Sequence, residues 1–290
     1  MTNRATTRWL LCVLSVAVAV PPAPTLAQSY RTVSATRVAM GEEYLRVGVT
    51  FAAGVLRVMP GDGRTLYQGE IVFDDQKFRP VTDYDARTQS LRFGIERRDG
   101  VTKVGKIERP QRLDLSLAPN VPTDLTTSLG AAEAELELGG LSLKSLDINS
   151  GAAAAHVHFS SPNRIACSTL HLKTGAAEFR AERLGNARCE RVVFVGGVGD
   201  VTLDFTGQWA DRRAICEADI KLGLGQLTLR LPKTVGVAIE IDRFLATFER
   251  AGLTKVGSSY VSYGYDLAST KLHITLKAVL GDIDIEWVER

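Results

Sequence analysis

Histidine and glutamate residues occur at strand-like spacing in three short segments of this 290-residue chain. Glu135 and Glu137 are two residues apart, His156 and His158 repeat that spacing, and Glu182 follows. If the segments stack as neighbouring strands, His158 lies between Glu137 and Glu182, about 5 Å from each. Imidazole and carboxylate groups are zinc ligands, but a solvated ladder of cross-strand pairs is the simpler interpretation. We therefore predict no metal site.

A glycine-rich stretch, VGGVGDVTLDF at residues 195–205, raises the question of phosphate binding. A phosphate cradle needs glycines that open onto a helix, with a Lys-Ser/Thr pair or a third spaced glycine. Here the glycines precede alternating apolar and polar residues, which is typical of a strand. The stretch also contains no lysine. We interpret it as the corner of a β structure.

A carbohydrate-active enzyme is a further hypothesis, because some stacked β folds are polysaccharide lyases. Such a site needs several acidic residues for calcium and a Lys or Arg base. The polar positions that would face outward mix both signs of charge: Arg57, Glu135, His156, Arg180, Thr202 and Thr228. His171 and His273 lie in separate predicted strands, which gives no support to a Ser-His-Asp triad. We predict a protein that is not an enzyme, with no catalytic residues and no cofactor.

The overall charge is nearly balanced, with 35 Lys and Arg against 33 Asp and Glu. Nucleic-acid-binding proteins carry a basic patch or stripe. A balanced chain with alternating signs has no such footprint, so we predict no nucleic-acid partner.

The elements that must position these residues follow from a repeat. A small residue is followed two and four positions later by apolar residues, with a polar residue between them, which predicts a strand with one buried face. The small residues are Gly54, Ala132, Ala153, Ala177, Gly199, Gly225 and Gly281. From Ala132 to Gly225 they are 21, 24, 22 and 26 residues apart. A degenerate copy is expected at 244–248, between Gly225 and Gly281.

This period predicts an all-β fold of stacked strands, a parallel β-solenoid or β-helix, over residues 116–290. A β-sandwich of two antiparallel sheets is the alternative. Residues 28–115 are predicted to form an N-terminal β region, either continuous with the solenoid or a small cap that protects its first strand edge. Within it we expect strands at 43–58, 65–73 and 90–98, and a break at 77–80.

Residues 1–27 have the features of a secretory signal peptide. Arg4 and Arg8 precede an apolar run at 9–20, and small residues precede a cut after Ala27. The run is too short for a membrane-spanning helix, which needs about 20 residues. We predict an exported protein that is periplasmic, extracellular or on the cell surface, with no membrane-spanning segment after cleavage. An uncleaved anchor is the alternative.

Three cysteines remain beyond residue 27, namely Cys167, Cys189 and Cys216. Cys167 and Cys189 each lie eight residues before a glycine, so they are expected on adjacent strands. Because neighbours on parallel strands are not ideal for a disulfide, a packed pair of free thiols is favoured over a bridge.

Tyrosine is concentrated at residues 259–265, SYVSYGY, which contain three of the seven tyrosines of the chain. Tyrosines beside small residues form adaptable contact surfaces. A binding strip is one interpretation, and ordinary strand packing is the favoured one.

Several segments together resemble the bacterial toast-rack domain proteins. They are VGVTFAAG at 47–54, LYQG at 66–69, VPTDL at 121–125, SLGAA at 128–132, GGLSL at 139–143, LPKTVGV at 231–237 and GDIDI at 281–285. That family is related to proteins named "putative adhesins" and to the C-terminal half of LiaF-type regulators of envelope stress. The resemblance implies a right-handed parallel β-solenoid that faces the cell envelope.

The export signal and the seven repeats without a reactive cluster predict a non-enzymatic scaffold or binding module, with an envelope protein or glycan as partner. The resemblance implies the alternative, a regulator or sensor subunit of the envelope stress response. The chain departs from the LiaF pattern because it has an export signal and no membrane-spanning bundle. Some of its corners also carry Ala-Ala in place of the glycines that the family favours.

Overall fold

The protein is described by a computed structural model over residues 30–98, 110–176, 178–209 and 215–289, and these residues form an all-β fold. The strands are β1 (Tyr30–Val38), β2 (Leu45–Pro60), β3 (Thr65–Asp74), β4 (Phe78–Asp85), β5 (Ser90–Arg97), β6 (Arg112–Leu117), β7 (Thr123–Glu137), β8 (Leu143–Ser150), β9 (Ala154–His158), β10 (Cys167–Ala176), β11 (Phe179–Glu182), β12 (Cys189–Asp204), β13 (Ile215–Pro232), β14 (Gly236–Phe248), β15 (Leu253–Val256), β16 (Ser259–Ser262) and β17 (Lys271–Val288). Two 3-10 turns cover Leu184–Ala187 and Tyr265–Leu267. The predicted signal peptide and the corner at Ala177 lie outside the described residues.

The seven repeats of the sequence stack as parallel strands in register, and we call each repeat a rung. The polar position of every rung belongs to one continuous ladder. That ladder is Arg57, Glu135, His156, Arg180, Thr202, Thr228 and Asp284. The described segments therefore do not form the two antiparallel layers of the alternative. Because equivalent residues face each other, their apolar sides line one continuous core that includes Phe179 and Phe194, with ring centroids 5.4 Å apart.

The order of the last rungs differs from the order of the chain. The degenerate copy at 244–248 lies at the end of β14, as a strand. However, Gly281 of β17 stacks directly on Gly225 of β13, and Ala246 of β14 stacks on the far side of Gly281. The degenerate copy is therefore present as a strand, but it stacks beyond Gly281 and not between Gly225 and Gly281.

Steric packing at the corner requires a glycine at position 281, directly above Gly225. Gly225 and Gly281 have φ angles of +137° and +132°, a region that strongly favours glycine. A Cβ atom added to Gly281 would lie 1.8 Å from the carbonyl oxygen of Gly225. An alanine in the conformation of Gly281 would therefore have no room above Gly225.

Antiparallel strands cover both ends of the parallel stack. At the N-terminal end, β2 pairs with the parallel strands β5 and β6, and then β4 and β3 pair antiparallel with β5 and β6. At the other end, β16 pairs antiparallel with β14, and β15 with β16. These strands shield edges that would otherwise be free to pair with another chain.

The prediction of a break at 77–80 was wrong, because β4 begins at Phe78 and includes Pro80. Pro80 faces Ile95 of β5 in an outer antiparallel pair. Proline is accepted in such strands because its missing N–H group can point away from the partner.

Cys167 and Cys189 are joined by a disulfide, so the preference for free thiols was wrong. They are register partners on β10 and β12, with Cα atoms 4.2 Å apart. In-register parallel stacking thus brings the two side chains within bonding reach. Cys216 is free and buried, and burial, with a smaller contribution from the Glu217 carboxylate, raises the pKa of its thiol to about 12.

Candidate binding surfaces

The predicted glutamate–histidine set lies on the outward face of β7, β9 and β11. The backbone register is as expected, because His158 faces Glu137 on one side and Glu182 on the other. The side chains pair differently. The Nδ1 atom of His158 lies 3.3 Å from Glu137 Oε2, whereas Glu182 Oε2 lies 3.2 Å from His156 Nε2. His158 is therefore not held between two carboxylates.

The side chains of this set pair with one another along the strands. His156 contacts Glu135 through Nδ1 at 3.2 Å and Glu182 through Nε2. Glu137 accepts hydrogen bonds from the backbone N–H groups of Gly139 and Ser160, which supports the turn after β7. In the described part of the chain, no three His, Cys, Asp or Glu side chains converge on a point where a metal ion fits.

A groove of about 390 Å³ runs beside this set, and its charged walls largely neutralise one another. Arg180 pairs with Glu178 at 3.0 Å, and Arg57 lies 3.9 Å from Asp114. Exposed pairs of this kind contribute little to stability. The arrangement corresponds to a self-compensated polar surface rather than a cluster of reactive groups.

A larger groove of about 650 Å³ crosses β5, β2, β7, β8 and β10, and Gly48 lies in it on the second of these strands. Gly48 is the register partner of Arg92 on one side and Thr126 on the other. A Cβ atom at Gly48 would approach only the carbonyl oxygen of Leu91, at 3.9 Å. The absence of a side chain at this outward position therefore creates open space between two polar neighbours.

Charged groups and hydroxyls alternate around this Gly48 groove. Asp124 accepts hydrogen bonds from the hydroxyls of Tyr44 and Ser145. Asp147 Oδ2 lies 3.6 Å from His171 Nδ1. The other polar residues of the wall are Arg46, Ser90, Arg92, Thr126, Ser168 and Thr169. The groove thus offers donors and acceptors at strand spacing, which matches a ligand rich in hydroxyl groups.

An aromatic ring adjoins the same surface. The guanidinium of Arg46 lies 5.4 Å from the centroid of the Tyr44 ring, and the ammonium group of Lys144 lies 5.3 Å from the same centroid. Its hydroxyl bond to Asp124 connects it to the groove wall.

The sequence patterns did not identify the Gly48 groove. The available signal was a glycine in the interior of a strand, away from the corner at Gly54. A glycine in that place often marks close approach by a ligand or another backbone. Apart from Thr169 and His171, all residues that line the groove lie within residues 27–168.

That segment, residues 27–168, matches the family model described as the N-terminal domain of toast_rack, DUF2154. The chain belongs to the toast-rack family. No curated protein matches this toast-rack chain. The family match therefore carries the assignment.

Solved structures also show similarity to the toast-rack chain. A "putative cell adhesion protein" from Clostridium sporogenes has 17% identity and a TM-score of 0.46, with 89% of this chain and 100% of that chain covered. A "putative adhesin" from Bacteroides fragilis has 12% identity and a TM-score of 0.42, with 90% and 98% covered. A "putative lipid binding protein" from Parabacteroides distasonis has 12% identity and a TM-score of 0.31, with 89% and 96% covered.

The tyrosine strip of the toast-rack chain is divided among three environments. Tyr260 packs on Phe248, with ring centroids 5.3 Å apart. The Tyr265 hydroxyl lies 2.7 Å from His273 Nε2. Only Tyr263 of the three is fully exposed, and it lines a shallow pocket with Trp287. The three rings do not form one continuous binding strip.

Proposed function

We propose that this toast-rack protein is an exported, non-enzymatic binding module of the bacterial cell envelope, and that its stack of rungs is a right-handed parallel β-solenoid. The observation that carries the proposal is the open polar groove that contains Gly48. It presents fixed donors and acceptors on rigid strands, which suits recognition of a ligand more than chemical transformation. Charged groups are paired in both grooves, for example Arg92 with Asp83 in this one and Arg180 with Glu178 in the other. The open space at Gly48 is what distinguishes this groove.

The groove favours an envelope glycan as the ligand. It crosses five strands, or four spacings of about 4.8 Å, so it accommodates an extended chain rather than one small molecule. Carboxylates, guanidinium groups and hydroxyls hydrogen-bond readily to sugar hydroxyls. The proposed ligand is therefore a polyhydroxylated glycan laid across the strands.

The export component of the proposal rests on the features of residues 1–27. None of the described helices has the length and apolar character to span a membrane. We expect the protein expressed in a Gram-negative host to appear in the periplasmic fraction with Gln28 as its first residue. N-terminal sequencing of that fraction checks this, and an intact Met1 on membrane-associated protein would contradict cleavage.

The Gly48→Val substitution tests the binding function directly. The added side chain occupies open space and β-branched residues suit a strand, so we expect an unchanged fold. Glycan affinity is expected to fall about tenfold or more, which corresponds to about 1.4 kcal/mol. Binding is measured on purified envelope glycans by isothermal calorimetry.

A matched control places the same valine at another exposed strand position. Thr275 is exposed on β17, far along the chain from the groove, and Thr275→Val is expected to bind glycan like the unmodified protein. Equal binding by the Gly48→Val variant, or no binding of any envelope glycan by the unmodified protein, would rule out this function for the groove.

A further inference from the structure

Exposed apolar side chains lie in register along one corner of the C-terminal half. Val198 faces Leu224, Leu224 faces Leu280, and Leu280 faces Leu245 on the next strand. We call this set, with the adjacent Val279 and Phe244, the apolar ridge. Its six side chains are between 40% and 78% exposed. Along the stack they span three strand spacings, or about 14 Å.

The ridge is confined to the C-terminal rungs. The residue before the corner is alanine in the first four copies, at Ala53, Ala131, Ala152 and Ala176. In the later copies the equivalent residues are Val198, Leu224 and Leu280. Their side chains are larger, although they point away from the core. A single exposed leucine needs no explanation, but a contiguous row of large apolar side chains is typical of an interaction surface.

The two flanks of the ridge carry opposite charge. Lys221 and Lys277 are exposed register partners four residues before the corner glycines. Asp200 and Asp282 are exposed immediately after the corners. On the outermost rung, Asp242 faces Lys277 in register, so the basic flank is strongest on the inner rungs. A neighbour that covers the ridge must therefore present acidic groups on one side and basic groups on the other.

A second copy of the chain meets this requirement in one orientation. A two-fold axis that runs along the ridge places the two ridges face to face and exchanges their flanks. The lysine flank of one copy then faces the acidic flank of the other. Lys277 faces Asp282 on the same rung, and Lys221 faces Gln226, with Asp200 and Asp282 on the two adjacent rungs. A two-fold axis across the ridge would bring like charges together, which costs binding energy.

We propose that the apolar ridge is the interface of a symmetric homodimer, in which the two stacks run parallel to each other. Such an interface uses the same patch on both subunits, as in most soluble dimers. The ridge supplies the apolar centre and the charged flanks fix the orientation. A membrane surface fits less well, because Asp200 and Asp282 would face anionic headgroups.

The oligomeric state of the mature chain tests the proposal, measured by sedimentation velocity from low to high micromolar concentration. The unmodified protein is expected to be a dimer. Leu224→Asp is expected to be a monomer with an unchanged circular dichroism spectrum, since Leu224 is exposed. Leu267→Asp also adds a charge at an exposed apolar residue, but outside the ridge, and it is expected to remain a dimer.

A charge exchange tests the orientation. The double variant Lys221→Glu with Lys277→Glu is expected to weaken the dimer about tenfold or more, because acidic flanks would then face each other. Adding Asp200→Lys and Asp282→Lys to it is expected to restore the dimer. An adhesive apolar patch without defined orientation would give no such rescue.

Several outcomes would overturn the proposal. They are an unmodified protein that is a monomer at every concentration, a Leu224→Asp variant that still dimerises, and a monomer that instead floats with phosphatidylglycerol vesicles. The glycan-binding proposal is separable, because the Gly48 groove lies on the N-terminal strands. A monomeric Leu224→Asp variant is expected to retain the glycan affinity of a single site.

Discussion

Replacement of Gly281 by alanine is expected to destabilise the fold by about 3 kcal/mol or more. The residue has a φ angle of +132°, where non-glycine residues are strained by about 1–3 kcal/mol. The new Cβ atom would also lie 1.8 Å from the carbonyl oxygen of Gly225. Because this neighbour is backbone paired into the sheet, it cannot move aside without separating two rungs. Urea denaturation followed by circular dichroism measures the loss.

A substitution at a second glycine, Gly264, separates the effect of backbone strain from that of the steric clash. Gly264 also has a positive φ angle, +76°, but a Cβ atom there would meet nothing within 4 Å. Gly264→Ala is expected to cost about 1–2 kcal/mol, the usual penalty of a left-handed residue. If the two variants lost equal stability, close contact between the rungs at Gly225 and Gly281 would be refuted.

The repeat could be predicted from the sequence because the same physical constraint recurs in each copy. Each corner has little space and therefore takes a small residue, and each strand buries one face and therefore alternates apolar and polar residues. All seven polar positions lie in one ladder. The order of the rungs could not be predicted from that pattern, since it identifies equivalent residues but not their neighbours.

The sites were less accessible to sequence reasoning than the rungs. The register of His158 with Glu137 and Glu182 was predicted, but side-chain rotation sends the Glu182 carboxylate to His156 instead. The Gly48 groove was missed because it is created by an absent side chain, and glycine was interpreted only as a corner residue. Strand β4 was missed because Pro80 was taken as a break, although an outer strand accepts proline.

Reduction of the Cys167–Cys189 disulfide is expected to lower the free energy of unfolding by about 3 kcal/mol. The bond closes a loop with a sequence separation of 22 residues, and a loop of that length restricts the unfolded chain by roughly this amount. For a chain of this size the thermal midpoint should fall by about 6–12 °C. Differential scanning calorimetry of the oxidised and reduced protein makes the comparison without any substitution.

The buried Cys216 provides the control for this experiment. A thiol with a pKa of about 12 stays protonated near neutral pH, and the thiolate is the form that exchanges with disulfides. The Cys216→Ala variant is therefore expected to lose as much stability on reduction as the unmodified protein. A midpoint that reduction leaves unchanged would mean that Cys167 and Cys189 are not bonded. Because such bonds persist in oxidising compartments, recovery of the oxidised pair from cells would support export of the protein.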